Sequence, residues 1–141
     1  MRQCRVAIGL VAREFARGTE YLLRWSPHWQ QWNLLSGHGS ARDCIVAKMG
    51  NELSIASGFE VEMSQCGETS YAATSGRTRE ETMYIVKMFR VRLDQYDIPL
   101  FTQHIPNAWA TAGEILAGVA PNGLTISEMS RRVMESLAKR S

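Results

Sequence analysis

The amino-acid sequence predicts a mixed α/β domain in which helices pack on a β-sheet. Strand-type apolar runs and helix-type apolar stripes alternate along the chain in the order β-β-β-α-β-β-α-α, which favours this class. Each helical stretch also begins with a Ser/Thr-x-x-Asp/Glu capping box. The length of 141 residues and the apolar fraction of 45% suit a single domain spanning residues 1–141.

Composition excludes several classes of protein. With 21% charged residues and 45% apolar residues, the chain is neither disordered nor a coiled coil. The longest apolar run, residues 6–12, is too short to cross a bilayer, and no signal peptide is recognisable. Three cysteines without a CxxC pair argue against a disulfide framework and a zinc knuckle, and favour a reducing, cytoplasmic location.

The charge balance bears on the partner. Sixteen basic residues against fourteen acidic ones give a net charge of +2. This near-neutral balance does not indicate nucleic acid or a membrane surface, and it is compatible with a small anionic ligand.

The strand predictions begin with residues 5–12, a run rich in β-branched residues that suits a strand buried on both faces. Residues 20–25 form a second strand, joined to the first by a turn around Gly18. Residues 32–35 form a short third strand that ends in a turn at 36–39. Further strands are predicted at 59–63, briefly at 71–74 within a turn-rich stretch, and at 82–93, followed by a loop over 94–107.

Three helices are predicted. The first runs from the capping residue Ser40 to Gly58, with an apolar stripe through Ile45, Met49 and Leu53. The second opens at the Thr111 capping box and stops near Gly118. The third opens at Thr125 and carries a stripe formed by Ile126, Met129, Val133 and Leu137.

Between Gly37 and Phe59 the chain resembles the Nudix (MutT-like) superfamily. The Nudix box is Gly, five residues, Glu, seven residues, then Arg-Glu-apolar-any-Glu-Glu-any-Gly-apolar. Laid on this chain without a gap, the box keeps Gly37, Glu52, Leu53, Gly58 and Phe59, with Asp43 at the first glutamate. Residues 21–25, 32–37, 80–84 and 109–116 also look like parts of Nudix domains. The resemblance therefore implies a Nudix-type α/β/α sandwich with a mixed β-sheet.

The box also departs from the family pattern. Positions 52, 55 and 56 lie on one helix face, and in active relatives this face presents glutamates to a divalent metal. Here Ile55 and Ala56 replace two of them, and Asn51 replaces the arginine. The resemblance implies that an active protein would use Mg²⁺ or Mn²⁺, held by Glu52 and the backbone of Gly37, with Glu52 also catalytic. An inactive protein would need neither metal, because only one carboxylate of three remains.

Other residues are candidates for ligand binding. Trp29 could stack on a nucleobase or be an ordinary loop residue, whereas Trp25 and Trp32 suit buried strand positions. Arg77 and Arg79 follow a glycine and could bind phosphate, although arginines in turns are more often solvated. Carboxylates outside the box, namely Glu80, Glu81 and Asp94, are candidates to complete a metal site.

Two functions of different classes follow from these features. The first is a nucleotide- or nucleoside-diphosphate-derivative-binding or regulatory module with little or no hydrolase activity. The alternative is an active Mg²⁺-dependent Nudix hydrolase of a nucleoside diphosphate linked to another moiety, using Glu52 and carboxylates outside the box. The expected partner is a small nucleotide-type ligand or another protein, and a homodimer is compatible because similar domains often dimerise. No membrane partner is expected.

Overall fold

A computed structural model describes residues 2–15, 18–38, 47, 51, 62–75, 78–92 and 107–140. These residues form six strands and two helices. The strands are β1 (Arg2–Phe15), β2 (Gly18–Ser26), β3 (Gln31–His38), β4 (Glu62–Thr74), β5 (Glu81–Arg92) and β6 (Asn107–Thr111). The helices are α1 (Ala112–Ala117) and α2 (Glu128–Arg140). Ala47 and Asn51 are also helical, as predicted at those two positions, and the rest of the predicted 40–58 helix lies outside the described residues.

The strands form one mixed sheet in the order β4-β5-β1-β3-β2-β6. β1 is the central strand, because it runs parallel to β5 from Arg2 to Val11 and antiparallel to β3 from Val6 to Gly9. Its last residues, from Ala12 onward, pair instead with β2 in a hairpin. Residues 6–11 of β1 are all buried, which confirms the prediction of a strand covered on both faces.

One face of the sheet packs against α1 and α2. Alternate residues of β1 and β5, such as Ile8 and Met88, form the core together with Ile115 of α1 and Val133 of α2. Because successive side chains of a strand point to opposite faces, the residues between them, such as Ala7 and Lys87, belong to the other face. None of the helices in the described ranges is long and apolar enough to cross a membrane.

Both predicted C-terminal helices are present, but the start predicted for α2 is wrong. Thr111 and Glu114 form the predicted capping box of α1, and Gly118 ends that helix with φ of +78°. α2 begins at Glu128 rather than after Thr125, and Ser127 caps it by accepting the Ser130 N–H (3.2 Å). Thr125 stays extended because its carbonyl accepts the Trp32 N–H of β3 (2.8 Å).

Three strand predictions need correction. β3 continues through Gly37 to His38, where a turn was predicted, because these residues pair with Ala7 and Val6 of β1. β4 is one 13-residue strand rather than a turn-rich stretch, since it pairs with β5 along its whole length apart from an irregularity between Gln65 and Gly67. β6 was not predicted, and it forms by pairing with β2.

Candidate ligand-binding face

The candidate site lies on the sheet face that points away from α1 and α2, here called the Gly37 face. Gly37 pairs with Ala7 of β1, Ala7 pairs with Lys87 of β5, and Lys87 pairs with Glu68 of β4. These four residues therefore form a row across four strands on one face, because directly opposed residues share a face. Gly37 is the first residue of the Nudix box, so this row marks where the box joins the sheet.

A half-buried ion pair lies further along the same face. The Arg13 Nε donates to Glu20 Oε1 at 3.0 Å, and Glu20 is 2% exposed. The Arg13 guanidinium carbon also lies 4.3 Å from the centre of the Trp109 ring, a cation–π distance. The two partners belong to the β1–β2 hairpin, in which Arg13 and Glu20 are directly opposed. This pairing neutralises a carboxylate that would otherwise be costly to bury.

Trp109 carries an unused donor in this cluster. Its indole Nε1 is buried and has no hydrogen-bond partner among the described residues. An indole N–H can only donate, so the atom is suited to a ligand acceptor. The Arg13, Glu20 and Trp109 side chains thus combine a cation, a fixed carboxylate and one free donor on the Gly37 face.

A polar row crosses the same face near the β2–β3 turn. Arg24 of β2 is directly opposed to Asn33 of β3 on one side and to Asn107 of β6 on the other. Arg24 is exposed and both asparagines are half-buried. Within the described ranges, Arg24 forms no side-chain hydrogen bond or ion pair. A guanidinium beside carboxamide groups suits a ligand that carries phosphate and a nucleobase edge.

The residues singled out in the sequence are not all brought together. Gly37 lies in β3, whereas Glu52 and Arg77 lie outside the described residues. Trp29 is 48% exposed in the β2–β3 turn, with its ring against His28 at a centroid distance of 4.4 Å. Arg79 is exposed between β4 and β5 with φ of +58°. Trp29 and Arg79 therefore lie in different turns, on opposite sides of the central strand β1.

Trp32 lies in the core and Trp25 packs against it. Trp32 is buried and Trp25 is half-buried, and their rings meet edge to face at 5.3 Å. The indole N–H of Trp32 donates to Asn122 at 3.2 Å. The interpretation of these two as strand residues is confirmed.

The described residues do not fit a divalent-metal site. No group of three or more His, Cys, Asp or Glu residues that could hold a metal occurs among them. Glu20, the buried carboxylate on the Gly37 face, is held by Arg13. Glu81 begins β5, six residues before Lys87, which places it about 20 Å along the strand from the Gly37 row.

Several residues of the Gly37 face escaped sequence reasoning. Lys87 could have been singled out from the sequence, because it is the single charged residue inside the apolar run from Met83 to Phe89. The polar row of Arg24, Asn33 and Asn107 had none, since it depends on the register of three strands that are distant in sequence.

No family model and no curated protein sequence matches this chain, but solved structures do. A MutT/Nudix family protein from Listeria innocua matches with a TM-score of 0.66 at 11% identity, over 99% of this chain and 94% of the other. The Caenorhabditis elegans Ap4A hydrolase matches with a TM-score of 0.55 at 10% identity, over 99% and 98% of the two chains.

Shewanella oneidensis NrtR matches with a TM-score of 0.67 at 10% identity, over 98% of this chain. A second structure of NrtR, in complex with a 27mer DNA, matches with a TM-score of 0.65. This chain spans 63% and 60% of the two NrtR chains. These likenesses show that the protein has the Nudix fold, an α/β/α sandwich around a mixed sheet, as the box spacing predicted.

Proposed function

We propose that this Nudix-fold protein binds a nucleotide or a nucleoside diphosphate derivative, as a binding or regulatory module with little or no hydrolase activity. The observation that carries this proposal is the sequence of the box, which retains Glu52 but has Ile55 and Ala56 at the positions where the family pattern has two glutamates. Aliphatic side chains supply no oxygen ligand for Mg²⁺. Hydrolysis in this fold depends on a metal to activate water and neutralise phosphate charge.

The Gly37 face supports the part of the proposal that concerns ligand binding. Arg24, Asn33 and Asn107 offer a planar cation flanked by two amides. Trp109 offers a buried indole donor that no described residue uses. Cations and neutral donors are the groups that phosphate and base edges require.

The proposed partner is a small nucleotide-type ligand. The similar structures differ in the molecules that they act on or bind, since one is an Ap4A hydrolase and another is NrtR in complex with DNA. For this chain we favour the small ligand because its net charge is only +2 and extended nucleic-acid contact calls for a basic surface.

Thermal unfolding in the presence of a ligand panel tests the proposal. The panel contains nucleoside diphosphates, nucleotide sugars and ADP-ribose, each with EDTA or with millimolar Mg²⁺. A ligand at 100 times its Kd stabilises the folded state by about 2.7 kcal/mol, which raises the Tm of a domain this size by roughly 5–10 °C. Arg24→Gln should lose most of the shift, and the exposed Arg92→Gln serves as the matched control.

Two results would overturn the proposal. Mg²⁺-dependent turnover that disappears in Glu52→Gln would show an active hydrolase instead. No shift with any ligand would leave the protein as a scaffold. The triple variant Asn51→Arg, Ile55→Glu, Ala56→Glu restores the family residues at these box positions, and it should gain Mn²⁺ binding in an electron paramagnetic resonance titration if loss of the carboxylates alone abolished the metal site.

A further inference from the structure

A cavity of about 590 Å³ lies between the two C-terminal helices and the sheet. Its walls include Leu10 and Ala12 of β1, Leu116 of α1, and Leu137 and Ala138 of α2. Because alternate residues of β1 point toward α1 and α2, the cavity lies on the opposite side of the sheet from the Gly37 face. Small-molecule sites have volumes of about 300–1,000 Å³, so this cavity is large enough for a small organic ligand.

The cavity occurs where β1 changes its partner strand. Leu10 is directly opposed to Arg90 of β5, whereas Ala12 is directly opposed to Tyr21 of β2. All four residues line the cavity, so its sheet side is formed by three strands at the point where β1 leaves β5. Ala12 and Ala138 have no side chain beyond Cβ, which leaves space between the sheet and α2.

The walls of the cavity present apolar side chains to water. Leu116 is 37% exposed, Ala12 and Ala138 are exposed, and Leu137 is half-buried. Met134 also lines the cavity and is 2% exposed. Removing apolar surface from water contributes about 25 cal/mol per Å². The hydrocarbon part of a ligand would therefore bind favourably against these walls.

One guanidinium and one carboxylate also line the cavity. Arg90 is exposed, so its guanidinium is accessible to a ligand. Glu14 accepts a hydrogen bond from the Thr19 hydroxyl at 2.6 Å. Leu10, which is opposed to Arg90, precedes Glu14 by four residues, so about 13 Å of strand separates the backbone positions of the two charges. An anion bound to Arg90 would lie at the end of the cavity away from the Glu14 backbone.

We propose that this cavity binds an apolar monocarboxylate, with its carboxylate on the Arg90 guanidinium and its hydrocarbon part between β1, α1 and α2. A guanidinium binds a carboxylate through two parallel N–H···O bonds. One guanidinium matches a single negative charge, whereas a nucleoside diphosphate carries several charges and would lie against apolar walls. The site is separate from the Gly37 face, so this inference does not depend on the proposed function.

Calorimetric titration with hexanoate, octanoate and octanol tests the proposal. Octanoate should bind about 15-fold more tightly than hexanoate, because each of two further methylene groups contributes about 0.8 kcal/mol when it is buried. Arg90→Gln should weaken octanoate binding by about tenfold, since the charge-assisted hydrogen bonds are lost, and should leave octanol binding unchanged. Arg92→Gln is the matched control, because Arg92 is an exposed arginine of the same strand that does not line the cavity.

Filling the cavity gives a second test. Ala138→Phe should abolish octanoate binding, because the new ring occupies the space, and it should change the Tm without ligand only slightly at this exposed position. Lys139→Phe adds the same ring at the next exposed residue, which does not line the cavity, and should leave octanoate affinity unchanged. If Ala138→Phe does not fold, the methyl resonance of Met134 in the wild-type protein decides, because octanoate must shift it.

Several results would overturn the inference. They are no binding of either carboxylate, octanol binding as tight as octanoate binding, and unchanged octanoate affinity in Arg90→Gln. Loss of octanoate binding in Arg24→Gln would place the carboxylate on the Gly37 face instead. A dimer in sedimentation velocity that Ala138→Phe dissociates would show that a second copy of the chain fills the cavity. The proposed function is tested separately, since nucleotide binding enters none of these outcomes.

Discussion

Ser130 shows how a hydroxyl side chain can belong to the core. It is buried in α2, and its Oγ accepts the backbone N–H of Leu34 in β3 at 2.9 Å. The Oγ of Ser127 lies 2.9 Å away and shares a hydrogen bond with it. These contacts join α2 to β3 and satisfy a buried backbone donor that would otherwise have no partner.

Replacing Ser130 with alanine should lower the free energy of unfolding by about 1–3 kcal/mol, because the Leu34 N–H loses its acceptor. Urea denaturation measures this value. The exposed Ser70→Ala in β4 is the control and should change stability by less than about 0.5 kcal/mol. Equal small effects for both variants would show that another group satisfies Leu34.

Tyr71 is a second residue whose surroundings predict a measurable property. Its ring stacks on Tyr84 at a centroid distance of 5.3 Å, with the Arg132 guanidinium 5.5 Å from the ring centre. Burial raises the pKa of the Tyr71 hydroxyl well above its usual value, and the nearby carboxylate of Glu128 raises it further.

The raised pKa of Tyr71 predicts a loss of stability at alkaline pH. Above about pH 10 the unfolded chain releases this proton while the folded protein keeps it. The unfolded state then binds fewer protons, so the free energy of unfolding falls as pH rises. Tyr71→Phe should therefore lose less stability between pH 9 and pH 11 in urea denaturation. Identical pH slopes for both proteins would contradict the assignment.

At the scale of elements, the end of α1 depends on Gly118. Its φ of +78° is costly for residues with a Cβ, and a Cβ there would lie 3.1 Å from Cδ of Arg131. Gly118→Ala should therefore destabilise the protein by about 1–2 kcal/mol. Gly113→Ala is the matched control, since it lies inside α1, where a Cβ would meet only Thr111 Oγ1 at 4.0 Å, and it should stabilise by up to about 1 kcal/mol. The two Tm values should move in opposite directions.

Helices and strands whose sequence signals lie within a few consecutive residues were predicted well. The α1 capping box depends on contacts within four residues, and β1 and β5 are long apolar runs. The full length of β4 was missed because its polar residues are tolerated by an edge strand with an exposed face. β6 was missed because five residues carry little pattern, and its pairing with β2 decides its conformation.

The candidate site likewise contains residues that the sequence could indicate and residues that it could not. Gly37 was singled out from the box spacing, which is a local motif, and Glu52, singled out in the same way, stays a prediction because it lies outside the described residues. The Gly37–Ala7–Lys87 row and the Arg24 row required the order and register of strands far apart in sequence. A single sequence does not specify that register. The motif therefore predicted the fold and a box with fewer carboxylates, but it did not predict which cations lie on the sheet.

At the scale of the whole molecule, β1 holds the sheet together by pairing with β5, β3 and β2. Its central residues and those of β5 are deeply buried. Native-state hydrogen exchange should show amides of Val6, Ile8, Val86 and Met88 exchanging only through global unfolding. Amides on the outer edge of β4 should exchange much faster, and a uniform rate would contradict this hierarchy.

The parallel pairing of β1 with β5 also affects how the protein is made. Arg2 pairs with Thr82, so residues 80 positions apart in the sequence lie side by side. On the ribosome, β1, β2 and β3 can pair with one another early, since they are consecutive. The β5 side of β1 stays open until the later strand emerges. During that interval the apolar edge of β1 is exposed to other nascent chains, so slow translation after β3 should increase aggregation of this protein.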